Sequence, residues 1–169
     1  MPNETVRERI VARMAATLAS VRESLGYTVT LQNVFRTFRV PEMAIAVPYA
    51  CVLGTSEDAE VGDPIQHYRI KLKVSVFVFI HADMAADPDA DTKLNRAVGD
   101  IVRSILSDQA IAGGAAGSNV PQIVDQLLYE GFRRVPFGDG PSWVNGAEVL
   151  FMAEFVHHYQ DPRLGRGET

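Results

Sequence analysis

From Tyr68 to His81 the residues divide by period two into one uniformly apolar side and a second side of different character. Tyr68, Ile70, Leu72, Val74, Val76, Val78 and Ile80 fall on one side, and Arg69, Lys71, Lys73, Ser75, Phe77, Phe79 and His81 on the other. Successive side chains of an extended strand point to opposite faces, so this spacing predicts a β-strand with one face on a core. The second face changes character along its length, basic at the start and aromatic at the end. At ~3.3 Å per residue the strand spans about 45 Å, far beyond the usual length of about five or six residues. A strand that long must bend or project beyond its own domain. It reads as the spine of a sheet that also offers surface to a neighbour.

A different period governs Thr5 to Leu25. There Val6, Ile10, Met14, Leu18, Val21 and Leu25 recur at three- or four-residue intervals, the stripe of an amphipathic helix. Thr5 and Glu8 have capping-box spacing at its start, and Gly26 supplies a stop. A second stripe, Leu94, Ala97, Val98, Ile101, Val102, Ile105 and Leu106, predicts another helix, with Asp89 or Asp91 able to cap its start.

Around these lie weaker signals. Tyr27 to Val40 is rich in β-branched and aromatic residues and predicts a strand or two halves of one. Pro41 and Pro48 bracket an irregular crossing, and Tyr49 to Leu53 reads as a short apolar strand ended by Gly54. The acidic, turn-rich stretch 54–64 reads as an exposed loop. Glycine and small residues at 110–119 break the second helix and predict a flexible loop; 121–132 favours a strand; 136–141 reads as a turn. Ala147 to Tyr159 alternates again and is the partner long enough to pair along the spine, with Glu148 and Glu154 facing Lys71 and Lys73. The tail from Gln160 has no apolar period and is expected to be flexible. The predicted fold is α+β, with two amphipathic helices packed on one face of a mainly antiparallel sheet that carries a long projecting hairpin.

Composition narrows the function classes. The chain of 169 residues, 47% hydrophobic and 22% charged, suits one soluble domain spanning 1–169. A net charge of −5 gives no electrostatic case for gripping DNA or an anionic membrane. Cys51, the single cysteine, sits in an apolar strand where a thiolate is disfavoured and has no internal disulfide partner, so a reducing compartment is expected. No signal core or spanning run of apolar residues is present.

Candidate chemistry is sparse. Asp87, Asp89 and Asp91 open like a calcium loop, but Thr92 stands where glycine is needed and Val98 where a bidentate glutamate is needed, so capping explains them better. His157 and His158 are adjacent on a strand and point to opposite faces; His67 and His81 have no ligands at metal spacing. The glycine-rich run lacks the Lys-Ser/Thr ending of a phosphate loop. What remains is a set of cations and one aromatic: Arg36, Arg39, Lys71, Lys73, Arg133, Arg134 and Trp143. The cations either line a surface passed by a polyanion, pair with acidic groups of a neighbouring subunit, or form a solvated sheet face. Trp143 is a partner-facing anchor or a satellite core contact.

Taken together, VPYACVLGTSEDAE, YRIKLKVSVFVFIHAD, the helix opening after DPDAD, the break DQAIAGGAAGSN and the ending FVHHYQDPR resemble the tail terminator, or tail-completion, proteins of long-tailed bacteriophages and phage-like particles. The resemblance spans nearly the whole chain and is topological. It implies a structural virion protein without catalytic residues, cofactor or metal. By the same resemblance it forms a homo-oligomeric, hexameric ring on the tail tube protein, ends tube polymerisation and meets the head–tail connector protein, with DNA later passing through its lumen. It would assemble in the bacterial host cytoplasm and end in the virion, with no membrane partner. Head–tail connector or neck proteins are built from similar elements. A small ligand-binding or enzymatic α+β domain is the reading from another class.

Overall fold

A computed structural model describes residues 4–42, 45–61, 67–81, 88–112, 123–135, 144–158 and 160–165. The loop predicted at 136–141, Trp143, Asp87, most of the glycine-rich run and the last four residues lie outside the described residues.

Helix α1 runs from Val6 to Leu18, and the Thr5 hydroxyl caps it by accepting a hydrogen bond from the Glu8 amide at 3.2 Å. Its buried stripe is Val6, Ile10, Val11, Met14, Ala15 and Leu18. The helix stops short of the predicted Leu25. Gly26 instead caps a 3₁₀ turn, Glu23–Leu25, at φ 82°, a conformation glycine adopts without steric cost.

Most of the strand expected over 27–40 is absent; only Asn33–Phe35 form β1. At the start of this stretch the reason is a side chain from the second helix. Asp100 accepts hydrogen bonds from the Thr28 amide at 2.6 Å, the Thr28 hydroxyl at 2.6 Å and the Val29 amide at 3.0 Å. A carboxylate thus takes the bonds a neighbouring strand would otherwise take. The apolar residues are then free to divide, Tyr27, Val29 and Val34 onto the main core and Phe35 onto a second cluster.

Strand β2 spans Tyr49–Val61 and β3 spans His67–His81. They pair antiparallel from Tyr49↔Phe79 to Val61↔Tyr68, with an irregularity between Gly54 and Ser56. The expected loop after Gly54 is therefore strand as far as Val61, although its side chains from Thr55 on are exposed as predicted. Helix α2 covers Ala90–Ser107 with Asp89 at the N-cap position, followed by the short α3, Gln109–Ala112. Strand β4 is Gln126–Arg134 and β5 is Val144–His158. The residues after Gln160 depart from expectation, because Asp161–Gly165 form β6 beside the end of β5.

Among the described residues the sheet order is β1-β2-β3-β5-β4, with β6 also on β5, and only β1–β2 is parallel. One face carries α1 and α2 over a core that includes Ile70, Leu72, Val74, Val76, Val78 and Ile80 from β3. That is the inner face the alternation predicted, and each such aliphatic contributes roughly 1.5–3 kcal/mol by burial. Among the described residues, the opposite face is covered only at one end. There Tyr49, Cys51, Phe79 and Val144 are buried under Phe35, Ile45, Val47, Leu53 and Phe77, and the Phe38 ring meets Phe77 edge-on at 4.9 Å. The fold is α+β as expected.

Candidate functional site

The sheet registers place the second face in cross-strand rows. Reading outward from the aromatic end, the rows are Cys51–Phe77–Glu148–Arg133, Leu53–Ser75–Leu150–Gly131, Ser56–Lys73–Met152–Leu128, Asp58–Lys71–Glu154–Gln126 and Glu60–Arg69–Val156. Beyond the aromatic end this face carries mixed charge. Lys71 stands between Asp58 and Glu154 and pairs with Glu60 at 3.7 Å; Arg69 stands opposite Glu60. Glu154 faces Lys71 as expected, but Glu148 does not face a lysine. With Glu154 opposite Lys71, the strand period carries Glu148 to Phe77. Its buried carboxylate accepts from the Ser75 hydroxyl at 2.7 Å and from Arg133 at 2.5 Å.

The predicted cations do not converge. Arg36 bridges to Glu8 of α1. Arg39 lies 5.8 Å from the centre of the Phe35 ring, and its carbonyl accepts from the Tyr49 hydroxyl at 3.0 Å. Arg134 reaches Asp91 of α2 at 2.7 Å, on the helix side of the sheet, whereas Arg133 lies on the other side against Glu148. Burial pushes the Cys51 thiol above its ordinary pKa, which keeps it protonated and unreactive.

A polar groove of about 510 Å³ lies where α1 meets the end of α2, lined by Arg13, Thr17, Tyr27, Ser104 and Asp108 among others. Asp108 is committed there to structure. It accepts two bonds from Arg13, at 2.8 and 3.1 Å, one from the Thr17 hydroxyl and one from the Ala110 amide at 3.0 Å. Burial pushes its pKa up, but these hydrogen bonds together outweigh burial and hold it below the ordinary carboxylate value. The stability Asp108 supplies is thus complete above the unfolded pKa of about 3.9 and is lost as pH falls through the lower folded value. Asp108→Asn lowers Tm at pH 7, and the gap from the unaltered chain narrows in thermal melts below about pH 4. A gap of constant size would show that the carboxylate's charge is not what matters. No group of three or more His, Cys, Asp or Glu side chains able to hold a metal is found among the described residues, and no helix is long and apolar enough to cross a membrane.

The features that sequence reasoning missed are the two margins of the sheet. β1 covers β2 only from Tyr49 to Cys51, and Arg7 occupies the Gly54 carbonyl at 3.0 Å. Beyond that, Ser56–Val61 have no strand on their outer side among the described residues, and neither does β4 opposite β5. The first margin carries Glu57, Asp58, Ala59, Glu60 and Val61. The second carries exposed Leu128, Tyr129 and Phe132 beside Arg133 and Arg134. The length of the 68–81 alternation held a clue to the first margin, since so long a strand needs a partner of similar length.

No family model matches the chain, and no curated protein matches it. Among solved structures, the chain is similar to one from a structure titled "Virion of native gene transfer agent (GTA) particle". It aligns over 89% of this chain and 90% of that chain, with a TM-score of 0.45 and 14% identity. A likeness of that depth carries no functional argument.

Proposed function

We propose that this chain is a structural virion protein that forms a ring on the end of a phage-type tail tube. The ring ends tube growth and offers the surface met by the head–tail connector. The observation that carries this reading is the pair of sheet margins that have no outer strand among the described residues, on a chain whose buried carboxylates, Asp100 and Glu148, are held in structural hydrogen bonds. Unpaired strand margins are a liability in a monomer and an asset in an assembly. The sequence resemblance to tail terminators supports the same role, with a hexamer as the ring. The mixed charge around Lys71 and Lys73 suits DNA passing by without being gripped.

Negative-stain microscopy of particles produced without this protein tests the role. Over-long, headless tails are expected; tails of normal length joined to heads would remove it.

A further inference from the structure

Two properties of the margins match in one register. Along Ser56–Val61, Glu57, Ala59 and Val61 lie on the helix side, opposite Leu72, Ile70 and Tyr68, and Asp58 lies on the other side, opposite Lys71. Along β4, Tyr129, Phe132 and Arg134 lie on the helix side, opposite Phe151, Val149 and Ala147, and Arg133 lies on the other, opposite Glu148. Gly131, at φ 122°, absorbs the irregularity between Tyr129 and Gly131 that keeps this facing constant.

We propose that the β4 margin of one copy receives the Ser56–Val61 margin of a second copy as an antiparallel strand, with Arg134 opposite Glu57, Arg133 opposite Asp58, Phe132 opposite Ala59 and Tyr129 opposite Val61. Both guanidinium groups then meet carboxylates. The exposed aromatics cover exposed aliphatics; Val61 is 71% exposed, Phe132 42% and Tyr129 40%. Side chains of both copies keep their sides, so the helices of neighbours stay on one face of a continuous sheet. Arg133 and Arg134 each already hold one carboxylate and, with side chains 72% and 46% exposed, keep donors for another. The contact joins two different surfaces, so it propagates head to tail and closes into a ring when the rotation allows.

The register also fixes an offset. Arg134 is level with Val78 of β3, through Ala147, and Glu57 is level with Leu72. Each copy therefore steps by about 20 Å along the strand direction at ~3.3 Å per residue. Such a stagger tilts strands against the axis of a closed ring, as it does in barrels.

This inference specifies the contact behind the ring-forming reading and rests on it. Its test uses two charge-swapped chains, one with Arg133→Glu and Arg134→Glu, the other with Glu57→Lys and Asp58→Lys. Each alone sets like charge against like at its own junctions, so self-association in sedimentation weakens at least about tenfold. An equal mixture restores it, because every mixed junction joins opposite charges. Either variant associating as tightly as the unaltered chain overturns the register.

Arg133 also holds Glu148, and Glu57 also pairs with Arg7 of its own copy at 3.5 Å, so a second measurement avoids both. Phe132→Cys and Ala59→Cys chains, each keeping the buried Cys51, are oxidised separately and together. A disulfide-linked pair forms only in the mixture. Linkage of Phe132→Cys with itself would mean two-fold pairing of β4, and no linkage in the mixture would mean no such contact; both overturn the proposal. Linked pairs together with tails of normal length in particles lacking the protein would sink the tail role and leave the contact standing. Over-long tails without linkage would do the reverse.

Discussion

Phe151→Ala lowers the unfolding free energy by about 3–5 kcal/mol. Phe151 is fully buried on β5, opposite Val74 on one side and Tyr129 on the other, within the core that both helices cover. The loss has two parts, the transfer of the ring's apolar area and the cavity left between a sheet and helices that cannot fully collapse onto it. Against a total of about 5–15 kcal/mol for a domain of ordinary stability, that is a large fraction. A urea titration shows it as a lower midpoint with an unchanged slope. Phe132→Ala is the matched control: the same deletion on an exposed ring stays within about 0.5 kcal/mol for the isolated chain. Equal losses at the two positions would contradict the assignment of which face holds the core.

At Asp100 the expected loss comes from polar groups. Asp100→Ala leaves the Thr28 and Val29 amides without their acceptor, and it frees Arg103, which approaches the same carboxylate at 3.5 Å. Hydrogen bonds to charged groups contribute about 1.5–3 kcal/mol each, and a donor left buried and unpaired adds its own desolvation cost, so a loss of about 3 kcal/mol is expected. Asp100→Asn keeps one carbonyl oxygen for the two amides and falls roughly midway between the unaltered chain and the alanine variant. The ranking in chemical denaturation is the check. If Asn and Ala destabilise equally, the acceptor geometry is not what holds this segment.

These two positions also show what could be read from the sequence and what could not. Phe151 was legible as a strand residue: period two puts Val149, Phe151, Ala153 and Phe155 on one side, against Glu148, Leu150, Met152, Glu154 and Val156 on the other. Period two likewise located β3 and β5, and three- to four-residue spacing located both helices. Asp100 was not legible. It sits inside a helix stripe as one more polar residue, and nothing local shows that its carboxylate will reach back to Thr28 and replace the strand that β-branched composition suggests there. β2 failed for the opposite reason. Glu57, Asp58 and Glu60 have loop composition, and they become strand only because β3 extends past Leu53 and offers bonds to match. Such pairing is decided by the partner and not by the residues paired. The cations named from sequence were real surface residues, but they are spread over both sides of the sheet. The margins that carry the proposed contact come from topology, which a linear pattern does not display.

The one-ended cover of the second sheet face has a mechanical consequence. Among the described residues, strand β3 is clamped from above and below at Phe77 and Phe79, whereas at Arg69 to Lys73 it is held from the helix side alone. Amide protection along this single strand should therefore decline from the aromatic end toward His67, with the outer rungs fraying while the inner rungs stay shut. A strand held this way can let its outer rungs adjust while its core stays closed.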